Sequence, residues 1–217
     1  MPCQKCDRGW GLVDGRYCEC EYGQKLKAAR KRQWEEEDAA WLALIRAGAK
    51  IPSKYRDAKL EDFTRVQRDA VWAARDKAQG LYVWGPVGTG KTHLAAAVLN
   101  GELERGLPGY WMVVPDWLED IRATFNTTDS AIDVMDRPLY TRLLVMDDLG
   151  VEKPSAWVQE QLYRLVNGRY QAGRETIITS NASLAELAER IGDRTCSRIA
   201  EMCVAMRLAG KDRRVQR

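Results

Sequence analysis

Short apolar segments alternate with longer amphipathic ones through most of this chain. The apolar runs have the length of buried strands and occupy residues 81–84, 110–114, 143–146, 176–179 and 202–208. Helical periodicity marks residues 65–77, 93–104, 115–125, 157–170, a segment from Ser183 onward and 195–201, whereas 126–136 has the composition of a loop. Strands that alternate with helices through short turns predict a parallel sheet with helices on both faces. The predicted fold class is therefore α/β, with five strands.

The first fifty residues do not share this alternation. Residues 22–47 read as one helix, basic in its first half and acidic in its second, and the alternating pattern begins near Ile51. This helix either packs its apolar stripe on the following domain or docks on a partner. The predicted organisation is a cysteine-rich module (1–22), a linker helix (23–50) and an α/β domain (51–217).

The charges are nearly balanced, with 34 basic and 31 acidic side chains and a net charge of +3. Composition alone therefore does not require a nucleic-acid partner. No run approaches the ~18 apolar residues of a membrane span, and the first residues lack the apolar segment of a signal peptide. We therefore expect a cytoplasmic protein. In a reducing compartment, its six cysteines suit metal binding better than disulfides.

Four of the six cysteines lie in the first twenty residues, as Cys3-x-x-Cys6 and Cys18-x-Cys20. Four thiolates match the tetrahedral preference of a structural zinc site, and so short a segment has no core to fold without metal. Free thiols in a tail or a redox pair are the alternatives, and a CxC pair is less common than CxxC. The spacing favours Zn²⁺ held by Cys3, Cys6, Cys18 and Cys20.

The turn after the first apolar run carries the phosphate-binding sequence G-x-x-x-x-G-K-T. Its residues are Gly85, Pro86, Val87, Gly88, Thr89, Gly90, Lys91 and Thr92, and His93 opens the helical run that follows. Glycines let backbone N–H groups converge at a helix N-terminus, where an anion is stabilised. In such loops the lysine reaches the β- and γ-phosphates and the threonine hydroxyl completes a Mg²⁺ shell. The alternative is a glycine-rich turn before a helix, but the strand–loop–helix context favours a nucleotide site.

A second polar cluster begins where the third apolar run ends, at Asp147 and Asp148. Asp147 is suited to hold the Mg²⁺ shell opposite Thr92, and Asp148 to act as the general base on a water that attacks the γ-phosphate. Two adjacent acids are common by chance, but their position after a phosphate-binding loop strengthens the interpretation. Asn181 ends the next strand at the same sheet edge, where its amide could orient that water. It could instead be a helix N-cap, a role that Ser183 could also fill.

These motifs resemble one family when taken together. The sequences GPVGTGKTHLA, LLVMDDLG, IITSN, and SRI followed by GKDRR are similar to those of the DnaC/DnaI-type replicative helicase loaders. Those loaders are AAA+ ATPases and are closely similar to the IstB-type ATPases of insertion sequences. The lead-in residues Ile51, Pro52, Tyr55, Asp62 and Phe63 also fit, so the resemblance spans about residues 51–214. The cysteine module resembles the zinc-binding N-terminus of some loaders, which IstB-type proteins generally lack.

Carried over residue by residue, the resemblance implies ATP and Mg²⁺ at Lys91 and Thr92, with the Asp147–Asp148 pair facing them and Asn181 as a sensor. Arg198 falls where the family places an arginine finger, which reaches the γ-phosphate of a neighbouring subunit. Arg214 aligns with a terminal arginine that is sometimes assigned as a second sensor.

Two departures from the family pattern change this expectation. Asp148 stands where many AAA+ enzymes carry glutamate, and a side chain shorter by one methylene implies slow turnover, as in a switch. If residues 202–208 form the fifth strand, the residues after it are too few for the usual helical lid. Arg214 then could not act as a lid residue.

Three functions are compatible with these features. The first is a loader that binds a hexameric replicative helicase, self-associates through its ATPase domains and binds single-stranded DNA. The candidate DNA contacts are Trp111, Trp117 and Arg122, although ordinary core and surface positions are the favoured interpretation of these residues. The second is a transposition helper ATPase that binds duplex DNA and recruits a transposase. The third is a zinc-dependent interaction protein that binds nucleotide without hydrolysing it.

Overall fold

The computed structural model describes residues 12–13, 16–17, 19, 21–77, 79–124, 131–210 and 212. The chain forms two compact units, Met1–Leu44 and Ile45–Arg217. The first contains the hairpin of β1 (Leu12–Val13) and β2 (Arg16–Tyr17) and most of helix α1 (Glu21–Ala49). Helix α1 confirms the predicted N-terminal helix.

The second unit contains the predicted alternation of strands and helices. In chain order its elements are α2 (Arg65–Asp76), β3 (Gly80–Trp84), α3 (Lys91–Glu104), β4 (Gly109–Val113), α4 (Val114–Thr124), α5 (Ala131–Tyr140), β5 (Leu143–Asp147), α6 (Ala156–Gln171), β6 (Thr176–Ser180), α7 (Leu184–Ile191), α8 (Asp193–Met202) and β7 (Cys203–Arg207). Two short 3₁₀ turns, Ser53–Tyr55 and Leu60–Asp62, precede α2.

The five strands β3 to β7 form one parallel sheet in the order β4-β5-β6-β3-β7. This arrangement confirms the predicted α/β fold. The chain crosses the sheet in one direction between β3 and β4 and returns in the other, so right-handed connections place α3 on one face and α4 to α8 on the opposite face. Strand β3 lies between β6 and β7, and its carboxyl end therefore meets those of β5 and β6 at one edge.

The burial of the strands explains why their sequences are continuous apolar runs. Residues of β5 and β6 are buried along their whole length, which is typical of parallel strands covered on both faces. A hydrophobic core cluster joins Tyr82 and Met146 of the sheet to side chains of α4, α6, α7 and α8, including Trp117, Leu162 and Ile199. Within the described residues, no helix combines the length and the apolar character needed to cross a membrane.

The prediction of a loop over residues 126–136 is wrong for its second half. Helix α5 begins at Ala131 and continues through Pro138 to Tyr140. Val134, Met135 and Leu139 pack against the core cluster. The polar composition of the segment concealed this apolar stripe. Tertiary burial therefore outweighs weak local helix propensity here.

Candidate functional site

The phosphate-binding loop connects the end of β3 to the first residue of α3. Gly85, Gly88 and Gly90 have φ values of 143°, 78° and 97°, which L-residues with a side chain rarely adopt. At Gly85 a second constraint applies, because a Cβ atom there would lie 2.2 Å from the carbonyl oxygen of Leu208. The loop thus depends on glycine both for its turn and for the close passage of the chain after β7.

Lys91 is the first residue of α3 and is 5% exposed. Its Nζ donates to the carbonyl oxygens of Gly85 at 2.9 Å and Pro86 at 2.8 Å. The Thr89 hydroxyl also donates to Pro86, at 2.9 Å. These bonds fold the loop around its own lysine, which lies at the helix N-terminus where an anion is favoured.

The carboxylate pair lies at the carboxyl end of β5. Asp147 is 5% exposed and accepts a 2.6 Å hydrogen bond from the Thr179 hydroxyl. Burial raises the pKa of Asp147 to about 6, and the charge of Asp148 also raises it, while hydrogen bonds with Thr179 and Thr92 and the charge of Lys91 oppose the change. Asp148 has φ of 59°, and its backbone N–H donates to the same Thr179 oxygen at 3.0 Å.

A cavity of about 730 Å³ opens beside the loop, within the range of small-molecule sites. Eight of the sequence-predicted residues line it: Val87, Gly88, Gly90, Lys91, Thr92, His93, Asp148 and Asn181. The cavity thus brings together side chains from the loop, from the end of β5 and from the end of β6. Asp147 does not line it but is hydrogen-bonded to Thr92, which does.

Three further residues line the cavity and had no role in the sequence-based assignment, namely Lys54, Tyr55 and Asp62. The Asp62 carboxylate lies 2.7 Å from Nε2 of His93, and this bond holds the pKa of Asp62 below its usual range. The His93 ring also packs edge-on to Tyr55, with centroids 6.2 Å apart. Tyr55 and Asp62 belong to the lead-in that resembles the family, and the fold shows that they form one wall of the cavity.

The structure separates the two interpretations of Asn181. Ser183, not Asn181, is the N-cap of α7: its hydroxyl accepts from the backbone N–H of Glu186, whose side chain accepts from the Ser183 N–H in return. Asn181 is exposed and lines the cavity. It is therefore available to a ligand rather than committed to the helix end.

Arg198 lies on α8 and does not line the cavity of its own chain. Its Nε donates to Oδ1 of Asn167 at 2.5 Å, and its guanidinium lies 5.1 Å from the Tyr170 ring centroid and 5.7 Å from that of Tyr163. All three partners belong to α6. The arginine is thus half-buried on an α6–α8 face.

The candidate DNA-contacting aromatics are core residues. Trp111 is 3% exposed and Trp117 is 4% exposed, and Nε1 of Trp117 donates to the Val134 carbonyl at 3.0 Å. Arg122 lies with its guanidinium 4.6 Å from the Trp157 ring centroid. The favoured interpretation of both tryptophans as core is confirmed. The four zinc-ligand candidates, Cys3, Cys6, Cys18 and Cys20, and Arg214 lie outside the described residues.

The chain is similar to known ATP-binding proteins over most of its length. The profile of the IstB-like ATP binding protein family matches residues 26–214. An IS21-like insertion-sequence ATP-binding protein of Bacteroides fragilis is 29% identical over 203 residues, which cover 87% of this chain and 74% of that protein. The replicative helicase loader DnaI of Bacillus subtilis is 24% identical over 224 residues, which cover 93% of this chain and 70% of DnaI.

Two solved structures share the fold. The crystal structure of the DnaC helicase loader has a TM-score of 0.64 at 29% identity and covers 73% of this chain and 100% of its own. The crystal structure of DnaI has a TM-score of 0.64 at 22% identity and covers 76% of this chain and 94% of its own. With the family profile spanning most of the sequence and the phosphate-binding loop facing Asp148, the chain belongs to the IstB-like ATP binding protein family and is an AAA+ ATPase.

Proposed function

We propose that this protein is an ATP-dependent loader of a hexameric replicative DNA helicase, active at the initiation of replication. The observation that carries the ATPase part is the convergence of Lys91, Asp148 and Asn181 on one cavity. The loader part is supported by the match to DnaI over 93% of the chain and by the cysteine spacing of the N-terminal module. ATP binding would control when the domains assemble.

The residues at the cavity fit Mg²⁺ as well as ATP. The Thr92 hydroxyl and the buried Asp147 carboxylate are oxygen donors, which Mg²⁺ prefers. The raised pKa of Asp147 also fits a Mg²⁺ site. Burial and the neighbouring Asp148 disfavour the charged carboxylate, and a bound cation would stabilise it. When bound, Mg²⁺ would neutralise charge that develops on the phosphates.

The chain's own groups supply the remaining functions. Lys91 would exchange its loop carbonyls for phosphate oxygens, and the loop N–H groups would hold the phosphate chain. Asp148 would accept a proton from the attacking water, and the Asn181 amide would orient that water. Because aspartate reaches less far than glutamate, we expect slow hydrolysis, which suits a switch rather than a motor.

Self-association would complete the site. Arg198 does not line its own cavity, which fits an arginine that would contact the phosphate of a neighbouring subunit. An arginine supplied in this way stabilises charge in the transition state. Single-stranded DNA would bind the assembled domains through surface groups other than Trp111 and Trp117, since both indoles are buried.

The zinc module would provide the contact with the helicase. We expect one Zn²⁺ per chain, lost in Cys3→Ser and Cys18→Ser, because four thiolates are needed to close a tetrahedral site. ATP affinity should survive both changes while helicase binding fails. Metal analysis of protein purified without chelator tests the site, and absence of zinc would refute it. Cys196→Ser, at a buried cysteine of α8, is the matched control and should retain the metal.

A specific observation favours a second function. The IS21-like relative, at 29% identity, supports a transposition helper that binds duplex DNA and recruits a transposase. Pull-down of the ATP-bound chain with the cognate helicase and, separately, with the cognate transposase distinguishes the two proposals. Binding of the helicase in an ATP-dependent manner supports the loader, whereas binding of the transposase alone refutes it. Absence of phosphate release in both mixtures would instead favour a non-hydrolysing interaction protein.

A further inference from the structure

Thr179 joins the two carboxylate residues of the site through one buried hydroxyl. It is the second-to-last residue of β6 and is 0% exposed. The hydroxyl donates to Oδ1 of Asp147 at 2.6 Å and accepts from the N–H of Asp148 at 3.0 Å. Its donor and acceptor functions are therefore both used at the end of β5.

The backbone of Thr179 fixes the same turn from a second direction. The register of β5 and β6 ends at the pair Met146–Ile178, and β5 itself ends one residue later, at Asp147. Beyond that pair, the N–H of Leu149 donates to the Thr179 carbonyl at 2.9 Å. Asp148 lies between Asp147, the last residue of β5, and Leu149. Its φ of 59° is positive, which costs free energy for a residue with a side chain. The bonds to Thr179 hold that unfavourable conformation, and the conformation directs Asp148 to the cavity.

For packing alone, a methyl group at this position would fill the same space in the core as the Thr179 hydroxyl. The position is a buried strand site, where valine has nearly the same shape as threonine and a high strand preference. A buried hydroxyl, by contrast, is unfavourable unless it is fully hydrogen-bonded. Packing alone therefore does not explain a threonine here, whereas the two bonds to the carboxylate residues do.

We propose that Thr179 is a positioning residue for the hydrolysis site: it orients the Asp147 carboxylate for Mg²⁺ and fixes the backbone from which Asp148 reaches the attacking water. The proposal rests on the proposed ATPase mechanism, with Asp147 beside the cation and Asp148 as base. It extends that mechanism by assigning the geometry of both acids to one hydroxyl of the neighbouring strand. Thr179 is not among the residues that line the cavity, so its role would be exerted through the two acids.

The test compares Thr179→Val with Thr176→Val. Thr176 lies on the same strand and is 1% exposed, but its hydroxyl accepts from Nε of Arg169 at the opposite end of β6. The affinity for ATP is measured in EDTA and in Mg²⁺, and hydrolysis is measured over a Mg²⁺ titration. For Thr179→Val we expect metal-free ATP affinity within about twofold of the parental value. The Mg²⁺ concentration that gives half-maximal ATP hydrolysis should rise about tenfold in Thr179→Val. A change of this size is expected when a carboxylate loses a hydrogen bond.

Thr176→Val should leave the Mg²⁺ dependence unchanged even if it lowers stability. A parental Mg²⁺ dependence in folded Thr179→Val would overturn the proposal. A second pair, Thr179→Ser and Thr179→Ala, covers the case in which valine prevents folding, because these side chains differ only in the hydroxyl. Serine should retain the parental Mg²⁺ dependence and alanine should lose it, while equal behaviour of the two would overturn the proposal. If the parental chain binds ATP with Mg²⁺ but releases no phosphate, the hydrolysis mechanism fails, and the affinity measurements still decide the role of Thr179.

Discussion

Two buried cations lie at opposite edges of the sheet and have different kinds of partners. Lys91, at the carboxyl edge, donates to carbonyls of its own loop, Gly85 and Pro86. Arg169, near the end of α6, is 0% exposed and donates to atoms of separate segments. Its acceptors are the carbonyls of Pro138, Leu139, Thr141, Arg142 and Glu175 and the hydroxyl of Thr176.

The contrast distinguishes Arg169, a cation that stabilises the fold, from Lys91, a cation suited to bind a ligand. Burial lowers the pKa of Arg169 to about 9, because its charged form loses hydration, and the charge of Arg174 also lowers it. The carbonyls compensate for that cost and thereby tie α5 and α6 to the starts of β5 and β6. The two hydrogen bonds from Lys91 Nζ to the carbonyls of Gly85 and Pro86 stay within one loop, so an incoming phosphate can replace these two bonds without separating distant segments. The nature of the partners, rather than burial itself, distinguishes the two roles.

The largest expected effect is that of Lys91→Ala. We expect loss of ATP binding or of hydrolysis to background, because the side chain neutralises phosphate charge. Titration with a fluorescent ATP analogue and a phosphate-release assay measure the two quantities. Lys77→Ala, at an exposed position after α2, is the matched control and should behave as the parental chain. Hydrolysis at the parental rate in Lys91→Ala would contradict the central assignment.

Arg198 extends the comparison to a half-buried cation on the α6–α8 face. Arg198→Ala should retain ATP affinity in the monomer but lose hydrolysis by roughly 10³-fold, the lower range for an arginine supplied in trans. Mixing Arg198→Ala with Lys91→Ala should restore part of the activity, since one chain supplies an intact pocket and the other an intact arginine. Mixtures that co-assemble without recovery would exclude Arg198. Arg194, one helical turn earlier, would then be tested in the same way.

Arg169→Met tests the structural half of the comparison. Removing the guanidinium leaves several buried carbonyls unpaired, and we expect the free energy of unfolding to fall by about 3–5 kcal/mol. Urea denaturation measures this change. ATP affinity of the folded fraction should stay parental, because the side chain lies at the other edge of the sheet. Arg164→Met, exposed on the same helix, is the control and should change stability little. A stable Arg169→Met protein would show that its carbonyl bonds are dispensable.

The smallest expected effect concerns Asn181 and Ser183, which lie two residues apart at the carboxyl edge. Ser183→Ala should lower the free energy of unfolding by about 1 kcal/mol through loss of the α7 cap and leave hydrolysis unchanged. Asn181→Ala should do the reverse, with parental stability and impaired hydrolysis. Thermal denaturation and phosphate release on the two variants measure both effects. If Asn181→Ala hydrolyses ATP normally, Asn181 does not orient the water.

The phosphate-binding loop was predictable from sequence because its chemistry is local. The loop is one contiguous segment that needs glycines at fixed positions, a lysine and a hydroxyl, all within eight residues. The five strands were predictable for a similar reason, since burial on both faces requires continuous apolar runs. Helix α5 was missed at residues 131–136 because its stability comes from packing against distant helices rather than from its own composition.

The amino-acid sequence alone determined the α/β class, the loop that receives phosphate and the acids expected near it. The tertiary structure decided which of the remaining polar residues meet there. Tyr55 and Asp62 reach the cavity, Trp111 and Trp117 enter the core, and Thr179 bonds to both acids. These outcomes depend on the strand order, which places β6 between β5 and β3. The core position of the two tryptophans agrees with the favoured sequence-based interpretation, but strand order is set by long-range packing, so no local pattern revealed the bonds of Thr179 to both acids.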